Sequence, residues 1–330
     1  RESLTSPLAR WFSVCLVAVA ITFGNAAYET GNLLGASLGL EILTGLSPRL
    51  WAVTIATCAL ALIMTGAYRA IQRVLVVLVV FMSCLFFVTA ILARPSLSEF
   101  MVGFVPTIPE GGLVSVIALI GTTVVPYNLF LHASTAREKW TDTPLARALP
   151  ESRWDTIFSV ALGGLVTAAI VVMAAPLTGF GNLELRMLAL QLEPVLGSWS
   201  TTLFGLGLFA AGLTSAITAP LGAAYAACGV LGFPPELRSK PFRAISVFVV
   251  VTGCALVFIG GSPTEMIVLA QASNALLLPL IALFLLFVVN DSSLMGSSRN
   301  SFLSNMLGAG VVLVVSGLGI YKLLSIFGIV

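Results

Sequence analysis

Apolar and polar residues alternate along this chain on the scale of whole membrane helices. Apolar runs occupy 11–43, 51–68, 72–93, 112–136, 156–178, 200–231, 243–261, 264–290 and 303–328. Runs of this length suit helices that cross a bilayer, some of them tilted or extended beyond the hydrocarbon. The largest polar connections are 94–111, 137–155 and 179–199, and none could hold a soluble domain. The pattern predicts an all-α polytopic membrane protein, with nine transmembrane helices in one domain over 1–330.

Composition agrees with this prediction and excludes several other classes of protein. The chain is 58% hydrophobic and 9% charged, with a mean hydropathy of +1.06, whereas soluble domains are about 25% charged. A net charge of +2 without a basic cluster gives no indication of a nucleic-acid partner. The five cysteines lie within apolar runs and form no CxxC pair, so neither a disulfide framework nor a zinc site is predicted. We therefore expect the lipid bilayer as a partner and no cofactor.

Lysine and arginine are distributed unequally between alternate connections. The side of the bilayer that holds the N-terminus carries 12 of them, and the opposite side carries 4. The positive-inside rule therefore predicts a cytoplasmic N-terminus and an external C-terminus. Short connections without targeting extensions favour a bacterial inner membrane, and we expect a monomer. The sequence begins at Arg1 rather than at an initiator methionine, so we expect that an N-terminal part precedes it.

The fourth apolar run contains a predicted break, in the stretch GTTVVPYNLFLHAS (121–134). Pro126 has no amide hydrogen for the preceding turn, and its ring moves Val125 away from helical angles. The carbonyls that this frees need a partner at mid-membrane depth: another helix, a hydroxyl, a water or a bound cation. Asn128 and His132 follow four residues apart, on one helical face. Transporters build midplane sites from such broken helices, but a kink that neighbouring helices repair would show the same sequence pattern.

Polar residues on the first predicted helix form a second candidate group. Asn25, Glu29 and Asn32 follow at spacings of four and three, which places them on one face. Glu29 is the only acid deep within an apolar run, and His132 is the only histidine in the chain. An ionisable group at that depth is a functional-site candidate. A hydrogen-bonded residue between packed helices is the structural alternative.

Small residues and a buried amide suggest where helices approach one another. Gly31, Gly35 and Gly39 form a small-xxx-small stripe on the first helix, which predicts close contact with another helix. Gly212, in the sixth run, is interpreted in the same way. Gln271, in the eighth run, could either connect helices or supply an oxygen ligand, and packing is the simpler reading of the amide alone.

These stretches resemble a known family. The motif at 121–134 is similar to GATVMPHNLYLHS, the sixth-helix motif of Nramp-type proton-coupled divalent metal transporters. Further similarities follow the family's third, fifth, eighth and tenth helices and the loop after the tenth, at 28–40, 87–96, 208–233, 268–280 and 294–300. The resemblance covers nearly the whole chain. Its specific parts are the sixth-helix motif, the spacing from Gln271 to Pro279 and the LMGSSRN stretch at 294–300, whereas a glycine stripe alone would be a weak signal.

The resemblance implies a LeuT-type inverted-repeat fold of eleven helices, of which this sequence holds helices three to eleven. On that alignment 11–93 is the remainder of the first repeat, 112–290 is the second repeat and 303–328 is an extra C-terminal helix. The family's DPGN motif, on helix one, does not occur in this sequence.

The resemblance further implies a secondary-active importer of divalent cations that works by alternating access. The Thr122 carbonyl or hydroxyl, the Val125 carbonyl and the Gln271 side chain would line the ion. A proton or conformational pathway would include Glu29, Asn32, Tyr127, Asn128 and His132.

Departures from the family motif change the expected ion. The family's metal-binding methionine falls on Val125, and the alanine that lends a carbonyl falls on Thr122. A thioether favours transition metals, and valine at this position removes it. The ligands that remain are oxygens, which suit Mg²⁺, with Mn²⁺ as second choice. This pattern resembles the Nramp-related magnesium transporter branch. Tyr127 replaces a histidine and Asn32 replaces a glutamate, which leaves proton coupling open.

Three alternatives remain at the level of sequence. One is an ordinary proton-coupled Mn²⁺/Fe²⁺ importer, and another is a degenerate paralogue that does not transport. The third is an intramembrane enzyme built on Glu29 and His132, or on a buried cysteine. The spans contain no HExxH motif and no paired aspartates, so we do not expect an enzyme.

Overall fold

A computed structural model describes residues 7–92, 96–103, 105, 107, 112–113, 115–117, 119, 125–174, 189, 193–259 and 262–326. These residues are almost entirely helical. The described part contains nine helices of fifteen residues or more: α1 Pro7–Thr44, α2 Pro48–Met64, α3 Tyr68–Leu92, α4 Pro126–Trp140, α5 Leu145–Ala174, α6 Ser200–Leu231, α7 Lys240–Leu256, α8 Pro263–Asn290 and α9 Phe302–Ile326.

Each predicted apolar run contributes to one of these helices, with one marked difference in the bounds. The connection predicted over 137–155 is largely helical, because α4 continues to Trp140 and α5 already begins at Leu145. Arg147 and Glu151, one turn apart in α5, form an ion pair of 2.7 Å that supports this polar extension. Hydropathy marks the section of a helix that suits hydrocarbon, so it does not detect a charged extension.

Four stretches in the described part are long and apolar enough to cross a membrane: Arg69–Leu92, Leu145–Val172, Gly197–Leu231 and Phe302–Tyr321. A fifth candidate is the pair Leu278–Asn290 and Ser292–Ser298, which is bent by 60°. Large apolar side chains on these helices are well exposed, among them Val77, Phe158 and Leu313. Extensive exposed apolar surface is typical of contact with lipid. The total of nine spanning helices stays a prediction.

The chain divides into two compact units. The first comprises Arg1–Gly31, Ile108–Leu131 and Ala219–Val330, and the second comprises Asn32–Thr107 and His132–Thr218. Helices α1, α4 and α6 therefore each contribute residues to both units. The repeat bounds expected from the family resemblance stay a prediction.

The first unit has an apolar core made by five helices. Ile21 of α1, Ala223 and Ala226 of α6, Val249 of α7 and Ile281 of α8 are all buried in one cluster, against which Phe130 of α4 packs.

In the same unit, a polar contact joins α8 to α9. Asn290 and Asn305 exchange two side-chain hydrogen bonds of 2.7 Å each, and Asn300 donates a third, of 3.1 Å, to Asn305.

The second unit contains the close helix crossing that the glycine pattern predicts. A Cβ placed on Gly39 of α1 would lie 2.5 Å from the carbonyl oxygen of Gly205 and 2.5 Å from the amide nitrogen of Phe209, both on α6. A Cβ on Gly212 would lie 2.3 Å from the amide nitrogen of Ala36. By contrast, a Cβ on Gly35 would meet nothing within 4 Å. Close packing against α6 therefore requires glycine at position 39, whereas position 35 has room for a side chain.

Candidate functional site

The second half of the predicted broken helix begins where the sequence places it. Helix α4 starts at Pro126, and Val125 lies outside the helix. The backbone amide of Asn128 donates a hydrogen bond to the Val125 carbonyl oxygen at 3.1 Å. One lone pair of that oxygen is therefore already used within the first turn of α4. Thr122, the other predicted backbone ligand, lies outside the described residues. The described segment therefore places the Val125 carbonyl directly before the start of α4.

A compact aromatic cluster surrounds Val125. Val125 is 4% exposed and Tyr127 is 3% exposed, and both belong to one buried cluster with Tyr28 of α1 and Ala219 of α6. The rings of Tyr28 and Tyr127 meet edge to face, with centroids 5.7 Å apart. Tyr127 was predicted on a pathway, and the structure places it in the packing around Val125.

Sequence reasoning did not select Tyr28 as a site residue. The signal that could have identified it was its position directly before Glu29, within the stretch 28–40 that resembles the family's third helix. A tyrosine in an apolar run is otherwise unremarkable, because aromatic side chains commonly fill helix interfaces.

Glu29 is completely buried, against the backbone of α7. A Cβ on Gly253 would lie 2.7 Å from both Cβ and Cγ of Glu29, so α7 approaches α1 closely at this point. The neighbouring Thr30 hydroxyl donates to the Gly253 carbonyl oxygen at 3.2 Å, which fixes the two helices in register. Asn25, one turn before Glu29, is also buried, and its Oδ1 has no hydrogen-bond partner among the described residues. The polar face predicted on the first helix is therefore an interior face.

Asn32 and Asn128, the two asparagines predicted on the pathway, have opposite environments. Asn32 is 5% exposed, on the interior face of α1, whereas the Asn128 side chain is exposed on the first turn of α4. Neither observation tests the predicted role of Asn32 and Asn128 on a proton or conformational pathway, which stays a prediction.

His132, at the middle of α4, belongs to a different group of contacts. Its side chain is exposed, and its Nε2 lies 3.1 Å from the Thr156 hydroxyl of α5. It lines an open cavity of about 300 Å³ beside Glu138 and beside the Lys139–Asp155 ion pair of 2.9 Å. All of these contacts lie within the second unit, whereas the Val125 cluster lies within the first.

Gln271 lies within α8, and its side chain is outside the described residues. Among the residues that the structure describes, no group of three or more histidine, cysteine, aspartate or glutamate side chains could hold a metal ion.

Taken with its exposed apolar helices, this architecture defines an all-helical, multi-pass membrane protein. Residues 1–325 match the family model described as "Natural resistance-associated macrophage protein-like". The chain belongs to the Nramp family.

Curated relatives of the chain are bacterial transporters. The divalent metal cation transporter MntH of Yersinia enterocolitica is 26% identical over 327 residues, which cover 96% of this chain and 76% of that protein. MntH of Klebsiella pneumoniae is 27% identical over 300 residues, which cover 88% of this chain and 71% of the relative.

The manganese transporter of Eremococcus coleocola, solved in complex with an aromatic bis-isothiourea compound, has the same fold. It superimposes with a TM-score of 0.72 at 21% identity, and the match covers 94% of this chain and 71% of that one. The expected all-α fold of the LeuT type is thereby confirmed.

Proposed function

We propose that this chain is a secondary-active transporter of divalent metal cations that imports its ion by alternating access. The observation that carries the proposal is Val125, a buried residue directly before the start of α4 in a chain of the Nramp family. The named relatives, which are divalent metal cation transporters, support the same class of substrate. Transport rather than catalysis is therefore the function that we assign.

The proposed ion ligands are the Thr122 carbonyl or hydroxyl, the Val125 carbonyl and the Gln271 amide oxygen. A carbonyl carries two lone pairs, so the bond from Asn128 to Val125 leaves one available for an ion. Oxygen ligands contributed by a helix break and by a facing helix are the usual construction of a transporter site.

Two ions are candidates, and different observations favour them. The side chain at Val125 is a buried hydrocarbon without a thioether, which favours Mg²⁺ over softer metals. The relatives named above are described as divalent metal cation and manganese transporters, and this favours Mn²⁺. We infer a divalent-cation site in either case, and competition between the two ions decides which is preferred.

Proton movement is a separate part of the proposal. Glu29 and His132 are the ionisable candidates, while Tyr127, at the position of a histidine in the family motif, packs against Tyr28 and Val125. We therefore propose that ion uptake by this chain acidifies the lumen less than in a relative with a histidine at that position. A pH dye inside proteoliposomes measures this directly.

The site assignment is tested by Gln271→Ala and Thr122→Ala in the complete gene product, reconstituted in proteoliposomes. Gln271→Ala should weaken ion affinity by roughly 10- to 100-fold, and Thr122→Ala should do so if the Thr122 hydroxyl, rather than its carbonyl, binds the ion. Thr57→Ala, which replaces an exposed threonine of α2, is the matched control and should transport as the wild type does. Unchanged uptake and affinity in both site variants would contradict the assignment.

We also propose a cytoplasmic N-terminus and an external C-terminus, from the 12 to 4 distribution of lysine and arginine. The expected result is an active alkaline phosphatase reporter when it is fused after Val330 in a bacterial host. An inactive reporter there, with a fluorescent cytoplasmic reporter at the same position, would contradict the orientation.

A further inference from the structure

The side chain of Tyr127 contacts two residues that the proposed mechanism does not use. Tyr28 of α1 meets its ring edge to face, with ring centroids 5.7 Å apart at an interplanar angle of 63°. Gly222 of α6 is the second contact. A Cβ on Gly222 would be 2.6 Å from Cδ2, 3.1 Å from Cβ and 3.2 Å from Cγ of Tyr127.

The contact at Gly222 leaves no room for a larger residue. A separation of 2.6 Å is well below the 3.5–4.0 Å at which carbon atoms pack, so any side chain on Gly222 would displace the ring. The shortest distance, 2.6 Å, is to the ring atom Cδ2, and the distances of 3.1 Å to Cβ and 3.2 Å to Cγ are also tight, so rotation of the ring about its Cβ–Cγ bond would relieve only the first. Tyr127 therefore packs closely against α6 at Gly222.

The same contacts fix the position of Val125. Val125 belongs to the buried cluster of Tyr28, Tyr127 and Ala219, and it precedes Tyr127 by two residues. Its carbonyl accepts from the Asn128 amide, so the first turn of α4 and the Val125 carbonyl move together. Displacing Tyr127 would move this turn and the carbonyl with it.

We propose that Tyr28 and Gly222 are positioning residues, which hold Tyr127 and thereby set the geometry and ion selectivity of the Val125 site. The inference rests on the proposed function, because it assigns these residues to the same ion site. Mg²⁺ requires near-ideal octahedral geometry at short distances, whereas larger divalent ions tolerate looser sites, so selectivity depends on how rigidly the ligands are held. The aromatic packing behind Val125 supplies that rigidity.

The test compares two alanine substitutions on one helix. Gly222→Ala introduces the overlap with Tyr127, whereas Gly229→Ala places its Cβ where nothing lies within 4 Å. Both are measured in proteoliposomes of the complete gene product, as Mg²⁺ uptake in competition with Mn²⁺. We expect Gly222→Ala to change the ratio of the two inhibition constants by about tenfold and Gly229→Ala to keep the wild-type ratio.

Variants of Tyr28 test its edge-to-face contact with Tyr127. Tyr28→Ala removes the edge-to-face contact without adding any atom, and it should shift the ion ratio in the same direction as Gly222→Ala. Tyr28→Phe keeps the ring and should recover most of the wild-type ratio. This pair remains measurable if Gly222→Ala fails to give folded protein, as judged by size-exclusion chromatography in detergent.

The outcomes separate this inference from the proposed function. Wild-type protein without divalent-cation uptake above that of empty liposomes would overturn the proposed function. Wild-type uptake with equal ion ratios in Gly222→Ala and Gly229→Ala, or with an unchanged ratio in Tyr28→Ala, would overturn the positioning role alone. A Tyr28→Phe variant as altered as Tyr28→Ala would also overturn it, because the effect would then depend on the hydroxyl and not on ring packing.

Discussion

The crossing of α1 and α6 in the second unit predicts opposite effects for the same substitution at two glycines of one helix. Gly39→Ala places a methyl group 2.5 Å from backbone atoms of Gly205 and Phe209, while Gly35→Ala places one in open space. Backbone atoms cannot rotate away as a flexible side chain can. The two helices must therefore separate by about 1 Å before the carbon reaches ordinary van der Waals distance.

The expected magnitude follows from two opposing terms. Overpacking of a well-packed contact costs about 1–3 kcal/mol, and the upper part of that range applies because the atoms nearest to a Cβ on Gly39 are all backbone atoms of α6. Replacing glycine by alanine within a helix gains up to about 1 kcal/mol. Gly39→Ala should therefore destabilise the protein by about 2 kcal/mol, and Gly35→Ala should leave it unchanged or slightly stabilised.

The assay is thermal unfolding of the purified protein in one detergent, followed by tryptophan fluorescence, with wild type and both variants measured side by side. Gly39→Ala should melt several degrees below Gly35→Ala. Equal melting temperatures for the two variants would refute the close backbone approach at Gly39. A destabilised Gly35→Ala would refute the open space that the structure shows at Gly35.

Three further predictions concern the amide pair, the ion preference and the ion pair at the surface. Asn305→Ala removes both hydrogen bonds to Asn290 and should destabilise the protein by about 1–3 kcal/mol in the same melting assay. Ser304→Ala, on the exposed side of α9, is the control and should change the melting temperature little. An equal effect of the two substitutions would contradict the stabilising role of the Asn290–Asn305 hydrogen bonds. Val125→Met restores a thioether and should raise Cd²⁺ uptake relative to Mg²⁺ by about tenfold in competition assays, and an unchanged ratio would show that this side chain does not face the ion. Asp155→Asn breaks an exposed ion pair and should alter stability by less than about 1 kcal/mol; a larger loss would mean that the pair is more than a surface contact.

The apolar pattern predicted the helices well because burial in lipid requires long apolar stretches with internally bonded backbones. It predicted the ends less well. The charged beginning of α5, around Arg147, was predicted as a connection. Hydropathy reports whether side chains prefer lipid or water, and it does not report whether the backbone is helical.

Local rules predicted the start of α4 at Pro126 and the close packing at Gly39, since both depend on the stereochemistry of a single residue. The same glycine rule did not distinguish Gly39 from Gly35, because only the position of α6 decides which glycine meets a backbone. Tyr28 was missed for a similar reason. Its role depends on contact with Tyr127, nearly one hundred residues away in the chain, and no spacing in the sequence encodes that contact.

The proposed function is tested most directly by ion uptake into proteoliposomes that contain the complete gene product and a pH dye. Mg²⁺ is placed in competition with Mn²⁺ and Cd²⁺, with empty liposomes as the control. We predict uptake of a divalent cation, with Mg²⁺ competing at least as well as Cd²⁺ and little acidification of the lumen. Cd²⁺ or Mn²⁺ uptake that excludes Mg²⁺ and acidifies the lumen would contradict the ion preference inferred from Val125. No uptake of any divalent cation would contradict the transport function itself.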